Sequence, residues 1–252
     1  MRYSSYSLMM CSMLIGWSAY AETVQPTPEE LLGAMDQHMT FESRTATLVM
    51  VVEGRKRTRR YQIESFGRGI SDSAMEYHAP ARDKGTKMLK LGEDLWIYMP
   101  TVDRVQKISG HMLRQGMMGS DLSYEDMMAS QKLRESYAST ITGSETVDGR
   151  ACWVLEMKAR DDSVTYPKRK AWIDKEDKVA LKQELYALSG MLLKTWTMSA
   201  VQDFPGDRRF PTKMVITDHI KKNSRTTLEF SDMIFGVKLP SEVFSKRWLE
   251  RK

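Results

Sequence analysis

Cysteine is nearly absent from this sequence of 252 residues, which contains only Cys11 and Cys152. Cys11 falls in a predicted signal peptide, so its removal would leave one thiol, no intramolecular disulfide and a fold held by packing alone. Cys152 stands beside Trp153 in an apolar stretch, which is typical of a buried, inert thiol rather than a nucleophile. The four histidines are scattered, and no two are spaced to bind a metal ion locally. We therefore expect no metal and no cofactor.

Long apolar runs are also missing. The longest, Leu8 to Trp17, is well short of the roughly 20 residues that span a bilayer. It follows one early cation and precedes the small residues Ala19 and Ala21, a pattern that predicts a signal peptide over residues 1–21, cleaved after Ala21. Cys11 lies inside the apolar run and follows Met10, so we do not interpret it as a lipid-anchor site. Residues 22–252 are then expected to form a single, soluble domain in the periplasm.

Recognisable catalytic motifs are absent too. The sequence has no Gly-x-Ser-x-Gly, no His-Glu-x-x-His, no phosphate-binding glycine loop and no Cys-x-x-Cys. The formal net charge is only +5, and the strongest charge feature is the basic run from Arg55 to Arg60. That run fits the turn and solvent face of a hairpin, or a transient contact with anionic lipid headgroups or an acidic partner. Aromatic residues do not interleave with the cations, and we expect no nucleic-acid partner.

Apolar residues that alternate with polar ones are abundant, and this period of two predicts at least ten short strands joined by tight turns. Three helices are predicted, over residues 28–40, 124–137 and 241–249. Thr27 should cap the first helix, and Ser123 with Asp126 should form a capping-box-like pair at the second. The predicted fold is mainly β: one strongly curved antiparallel sheet, or half-open barrel, with helices across its concave face.

A family resemblance lies in the segment Asp94 to Ser109 and in Met118 to Met127. These residues closely resemble the outer-membrane lipoprotein-sorting protein family, which is related to the LolA and LolB carriers and often accompanies RND-type lipid exporters. The matching positions are Trp96, Pro100, Arg104, Lys107, Ile108, Ser109, Gly119, Ser120, Asp121, Tyr124, Glu125 and Asp126. The resemblance implies a half-open barrel around an apolar cavity, and positions 118 and 122 depart from it by carrying Met and Leu where an aromatic is expected. We also expect Arg104 and Asp121 to form an ion pair that fixes the loop.

Methionine is in excess, with 20 residues against 7 phenylalanines. Four methionines fall in the predicted signal peptide, and five of the other sixteen lie between Met112 and Met128, beside glycines. Because Met is a flexible apolar side chain, this segment is interpreted as an adaptable lid over an apolar ligand; the alternative is that its apolar residues simply cap the core. The candidate lipid-binding residues share one predicted face or the lid: Leu48, Met50, Val52, Ile97, Met99, Met117, Met118, Met127, Trp153, Leu155, Met157, Trp196 and Met198.

Together these features favour a non-enzymatic periplasmic carrier for lipid or lipoprotein acyl chains, with an RND-type exporter as the partner that the resemblance implies. Two alternatives stay open. A sensor or adaptor of the same fold would bind a lipid or peptide without transferring it to acceptor vesicles. An envelope lipid hydrolase is disfavoured by the missing nucleophile motif and would be revealed by ester or phosphodiester turnover.

Overall fold

The computed structural model describes residues 25–128, 133–221 and 223–251. The predicted signal peptide, the middle of the predicted helix 124–137 and Lys222 lie outside these residues. Within them are thirteen strands: β1 (Ser43–Glu53), β2 (Thr58–Arg68), β3 (Asp72–Ala79), β4 (Lys87–Leu91), β5 (Asp94–Met99), β6 (Arg104–Ile108), β7 (Tyr137–Val147), β8 (Arg150–Ala159), β9 (Lys168–Asp174), β10 (Ala180–Tyr186), β11 (Leu192–Phe204), β12 (Arg208–Asp218) and β13 (Arg225–Phe235).

All thirteen strands form one curved, unclosed antiparallel sheet in the order β6-β5-β4-β3-β2-β1-β13-β12-β11-β10-β9-β8-β7. The predicted fold class is therefore confirmed. Strands that pair in this sheet are consecutive in sequence except at the centre, where β1 pairs with β13, and β6 and β7 form the two edges. There Met50 lies between Tyr61 on β2 and Leu228 on β13, and all three side chains are buried. We call the face that carries Met50 the inner face and the opposite one the outer face.

Helix α1 (Pro28–Met39) begins as predicted with a capping box. The Glu30 backbone N–H donates to Thr27 Oγ1 at 3.2 Å, and the Thr27 N–H donates to Glu30 Oε2 at 2.7 Å. The helix buries Leu31, Leu32 and Met35 against inner-face residues of β7, β8 and β9. Its amphipathic spacing thus covers one part of the inner face.

The second predicted helix corresponds to two described pieces, α2 (Tyr124–Met128) and α3 (Leu133–Ser136), with residues 129–132 outside the described part. Tyr137 begins β7. Among the described residues no helix combines the length and the apolar character needed to cross a membrane.

The C-terminal segment differs from the expectation that all helices lie on one face. A 3₁₀ turn (Ser241–Phe244) and α4 (Lys246–Glu250) pack on the outer face, against Leu89, Trp96 and Tyr98. The physical reason is visible in β4 and β5, where apolar residues stand side by side instead of alternating: Met88 and Leu89 in β4, and Leu95 to Met99 in β5. Adjacent apolar residues point to opposite faces of a sheet, so both faces need cover here. This end of the sheet has a core on each face.

Leu249 should anchor that outer core, because it is fully buried there. We predict that Leu249→Ala lowers the free energy of unfolding by about 2–5 kcal/mol, since it leaves a cavity in a packed cluster. Urea denaturation measures this, with Leu188→Ala as the control, because Leu188 is 72% exposed and should change stability by less than about 0.5 kcal/mol. Equal effects of the two substitutions would contradict the assignment.

Candidate functional site

Residues 110–128, which we call the covering segment, lie over the part of the inner face formed by β1 to β6, β12 and β13. The segment contains two 3₁₀ turns, Gly110–Arg114 and Met117–Gly119, followed by α2. Met117 is completely buried in the core. Other apolar side chains of the segment pack onto the same core while remaining partly exposed: Met112, Leu113, Met118, Leu122, Met127 and Met128. The methionine-rich stretch therefore covers apolar surface.

The glycines of this segment are required by close packing. Gly116 has extended backbone, but a Cβ there would come within 2.1 Å of the Ser120 carbonyl oxygen. Gly119 has a φ of +74°, and its Cβ would lie 2.8 Å from the Arg59 guanidinium. Glycine at position 116 thus lets the backbone of the segment approach Ser120, and glycine at position 119 lets it approach Arg59 on β2.

Three hydrogen bonds to backbone carbonyls hold the tip of the covering segment. Arg59 Nη2 donates to Gly119 O at 3.1 Å, and Tyr61 Oη donates to Met118 O at 3.4 Å. From the β12–β13 turn, Lys221 Nζ donates to Ser120 O at 2.8 Å. We call these three contacts the latch.

Asp121 anchors the segment more deeply. Its side chain is inaccessible to solvent and accepts hydrogen bonds from Ser224 Oγ at 2.6 Å and Thr226 Oγ1 at 2.8 Å. Lys221 Nζ lies 3.8 Å from the same carboxylate. The predicted ion pair with Arg104 is wrong: Arg104 is exposed at the start of β6, six strands along the sheet from Thr226 on β13.

A second buried carboxylate, Asp126, ties α2 to the sheet. It forms the predicted capping box with Ser123, accepting from the Ser123 N–H at 2.7 Å. It also accepts a 2.5 Å hydrogen bond from Tyr166 Oη and forms an ion pair with Lys194 on β11. Burial, together with the Asp126 charge, raises the pKa of Tyr166, so this phenol stays a donor.

A cavity of about 120 Å³ lies on the inner face between α1 and α2. Its apolar lining comes from α1 and from β11 and β12 and includes Met35, Met39, Trp196, Met198, Phe210 and Met214. The polar residues His38, Asp126, Arg169 and Gln183 also border it. Among the described residues, Trp196 Nε1 and Arg169 Nε are buried without a hydrogen-bond partner. The cavity is therefore largely apolar, and two of the residues that line it carry a buried donor without a partner.

In the described part of the chain, this cavity has neither a reactive cysteine nor a metal site. Cys152 lies on the outer face, and its burial raises the pKa of the thiol. No group of three His, Cys, Asp or Glu side chains among the described residues is arranged to hold a metal ion.

Comparison with known proteins adds to this geometry. A family model described only as an uncharacterized protein matches residues 69–251. An outer membrane lipoprotein-sorting protein domain from Vibrio parahaemolyticus is 25% identical, with 89% of this chain and 100% of that one covered and a TM-score of 0.77. A LolA superfamily protein from Nitrosomonas europaea is 26% identical, with coverage of 89% and 100% and a TM-score of 0.71. The chain belongs to the LolA-like family.

A DUF1329 family protein from Desulfovibrio piger shares the LolA-like fold, with a TM-score of 0.81 and 24% identity over 88% of this chain and 97% of that one. No curated protein matches the sequence.

The motif residues of this LolA-like protein are mostly structural. Trp96 packs in the outer core beneath Lys246, and Pro100 begins the turn between β5 and β6. The positions from Gly119 to Asp126 include two of the three latch acceptors, Gly119 and Ser120, and both buried anchors. Tyr124 is buried in the inner core and Glu125 is half-buried. The family motif thus coincides with the attachment of the covering segment to the sheet.

The candidate lipid-binding residues all lie on the inner face or in the covering segment, but the structure divides them. Eight belong to the core under the covering segment: Leu48, Met50, Val52, Ile97, Met99, Met117, Met118 and Met127. Trp153, Leu155 and Met157 pack in the core under α1. Only Trp196 and Met198 border the cavity. The prediction did not include Met35, Met39, Arg169, Phe210 or Met214, of which the two α1 methionines could have been found from helical spacing.

Breaking the Asp126–Lys194 pair should destabilise the LolA-like fold strongly. We predict that Asp126→Asn or Lys194→Met alone lowers the free energy of unfolding by about 3–5 kcal/mol, because each leaves an uncompensated buried group. The double variant should lose less than the sum of the two single losses. A urea-denaturation cycle measures the coupling, and strictly additive effects would contradict it.

Gly119→Ala should loosen the tip of the covering segment, because the new Cβ displaces the Arg59 guanidinium from its hydrogen bond. We predict a loss of about 0.5–1.5 kcal/mol beyond the cost of the positive φ, with faster amide exchange in residues 112–120. Gly149→Ala is the matched control, since its φ is +78° and nothing lies within 4 Å of the added Cβ. In an Arg59→Ala background the difference between the two substitutions should vanish.

Proposed function

We propose that this LolA-like protein is a non-enzymatic periplasmic carrier of lipid or lipoprotein acyl chains, moving them toward the outer membrane with an RND-type inner-membrane exporter. One observation carries the proposal: a broad apolar sheet face is covered by a separate methionine-rich segment. That segment is joined to β2 and to the β12–β13 hairpin through side-chain contacts. Such a cover can be exchanged for an apolar ligand. The names of the two related proteins, as lipoprotein-sorting and LolA superfamily members, support the same conclusion.

Loading requires movement of the covering segment. The cavity of about 120 Å³ is smaller than the roughly 300–1,000 Å³ of sites that enclose small molecules. Methionine side chains occupy the neighbouring space, and they can rearrange at low cost because they are unbranched and flexible. An acyl chain would thus take the place of these side chains against the inner face.

The energies favour partial opening. Release of the residues before Ser120 breaks two latch hydrogen bonds: the one from the charged Arg59, about 1.5–3 kcal/mol, and the one from Tyr61, about 0.5–1.5 kcal/mol. About three to six buried methylene groups at about 0.8 kcal/mol each offset both of them. The Asp121 and Asp126 anchors cost much more to break, because each leaves a buried charge or donor unpaired. We therefore place the moving part at residues 111–119, with residues 120–126 held to the sheet.

The two unsatisfied donors favour an amphiphilic cargo over a plain hydrocarbon. Trp196 Nε1 and Arg169 Nε lack partners beside the cavity, and an unpaired buried donor costs about 1–3 kcal/mol. A carbonyl, carboxylate or phosphate oxygen of the cargo would satisfy them. In this proposal its acyl chains run from that point beneath the covering segment.

Native mass spectrometry of protein purified from its own envelope tests the carrier. Co-purified lipid or acylated peptide is the expected result, and Met118→Gln with Met127→Gln should reduce its occupancy several-fold while the fold is retained. Ile234→Gln is the control, because Ile234 is 56% exposed. An empty wild-type protein that also fails to bind added lipid would refute the proposal.

Transfer and turnover assays separate the remaining alternatives. Passage of bound lipid to acceptor vesicles supports a carrier, whereas binding without transfer supports a sensor or adaptor. Hydrolysis of the bound ester or phosphodiester that is abolished by substitution of one carboxylate would refute both the carrier and the sensor hypotheses and identify a hydrolase.

A further inference from the structure

Three neighbouring hairpins project from one end of the sheet centre. Their turns are residues 54–57 between β1 and β2, 187–191 between β10 and β11, and 219–224 between β12 and β13. The strand register places them at the same end, because Glu53 pairs with both Thr58 and Arg225, while Lys194 pairs with Asp218. We call the surface formed by these turns the hairpin face.

The hairpin face exposes large apolar side chains. Leu188 is 72% exposed, Met191 52% and Ile220 59%. Half of the six exposed large apolar residues in the described chain therefore lie on these turns, and the other three, Ile70, Val102 and Ile234, do not. Apolar side chains at hairpin tips are poorly placed to pack within their own chain. Their exposure here therefore indicates a surface that contacts a partner or a membrane.

Cations lie in or beside two of the three turns. Arg55, Lys56 and Arg57 are exposed in the first turn, Lys221 is exposed in the third, and Arg225 directly follows the third. Three acids lie nearby. Glu53 is opposite Arg225 in the register, Asp218 has its carboxylate 3.7 Å from Lys221 Nζ and accepts two turn N–H groups, and the buried Asp121 lies 3.8 Å from the same Nζ. The excess positive charge complements an anionic surface.

The covering segment is attached at this same end. Two latch donors, Arg59 and Lys221, lie in or beside the hairpin turns, and Asp121 is held by Ser224 and Thr226. A surface that engaged the hairpin face would thus lie next to the part of the molecule that must move for loading.

We propose that the hairpin face docks on an anionic phospholipid bilayer, with Leu188, Met191 and Ile220 entering the interfacial region and the cations of the first and third turns contacting phosphate groups. Separate apolar tips that protrude among cations suit a fluid interface, which closes around each tip, better than a shaped protein groove. This inference deepens the proposed carrier function and rests on it for its biological meaning, while the binding itself is independent of cargo.

Vesicle flotation of the full chain tests the proposal. Wild-type protein should float with vesicles of phosphatidylcholine mixed with phosphatidylglycerol, bind phosphatidylcholine vesicles much more weakly, and dissociate as salt is raised. The triple variant Leu188→Ser, Met191→Ser and Ile220→Ser should lose about tenfold or more in vesicle affinity. Ile70→Ser with Ile234→Ser is the matched control and should leave vesicle binding unchanged.

A second pair of variants tests the charges. Arg55→Glu, Lys56→Glu and Arg57→Glu together should weaken vesicle binding by about fivefold for each cation lost, or more. Lys175→Glu, Lys178→Glu and Lys238→Glu change the net charge equally at the opposite end of the sheet and should have a much smaller effect. Equal losses in the two charge variants would overturn the assignment of this surface.

Cargo binding separates this inference from the carrier proposal. Binding of a fluorescent fatty acid without vesicles should be unchanged in all hairpin-face variants. Wild-type protein that binds the fatty acid but neither vesicle type would overturn the docking inference alone. Protein that binds vesicles but takes up no acyl chain would leave the docking surface standing and refute the carrier.

Discussion

Asp121 and Asp126 are buried carboxylates within a segment that otherwise supplies methionine and leucine to an apolar core. Each must be paired, because an unpaired charge at such a position would cost more than most single interactions in the protein contribute. The pairing groups come from strands of the sheet and from the connections between them: Lys221, Ser224 and Thr226 for Asp121, Tyr166 and Lys194 for Asp126. This requirement fixes where the covering segment lies, and the position of the cavity between α1 and α2 follows from it.

The same arrangement divides the covering segment into a fixed and a loosely held part. The anchors lie between residues 120 and 126, whereas the preceding residues are held by neutral or exposed contacts to backbone carbonyls. Packing by methionine makes the loosely held part adaptable, since its side chains fill space without one required shape. Residues 120–126 thus hold the covering segment on the sheet, while the residues just before them can be displaced.

Local features of this structure were predictable from sequence. The alternation of apolar residues predicted the strands, and the caps at Thr27 and at Ser123 with Asp126 depend on residues three apart. Partners distant in sequence were not predictable: Thr226 is 105 residues from Asp121, and Lys194 is 68 from Asp126. The pairing proposed for Arg104 failed for that reason, since charge and proximity in sequence carry no information about sheet order. The two-sided core could have been inferred from the unbroken apolar run from Leu95 to Met99 in β5.

The pairing of β1 with β13 brings together residues at opposite ends of the described chain. Leu48 and Met50 lie beside Phe230 and Leu228, so the central core contains side chains separated by about 180 positions in sequence. Contacts of this separation slow folding, because a long loop must close before they form. During synthesis, the strands from β1 to β12 exist before the residues that complete their core. Until β13 is synthesised, the backbone N–H and C=O groups along the edge of β1 that pairs with β13 have no partner. During that time this edge can pair with strands of other chains.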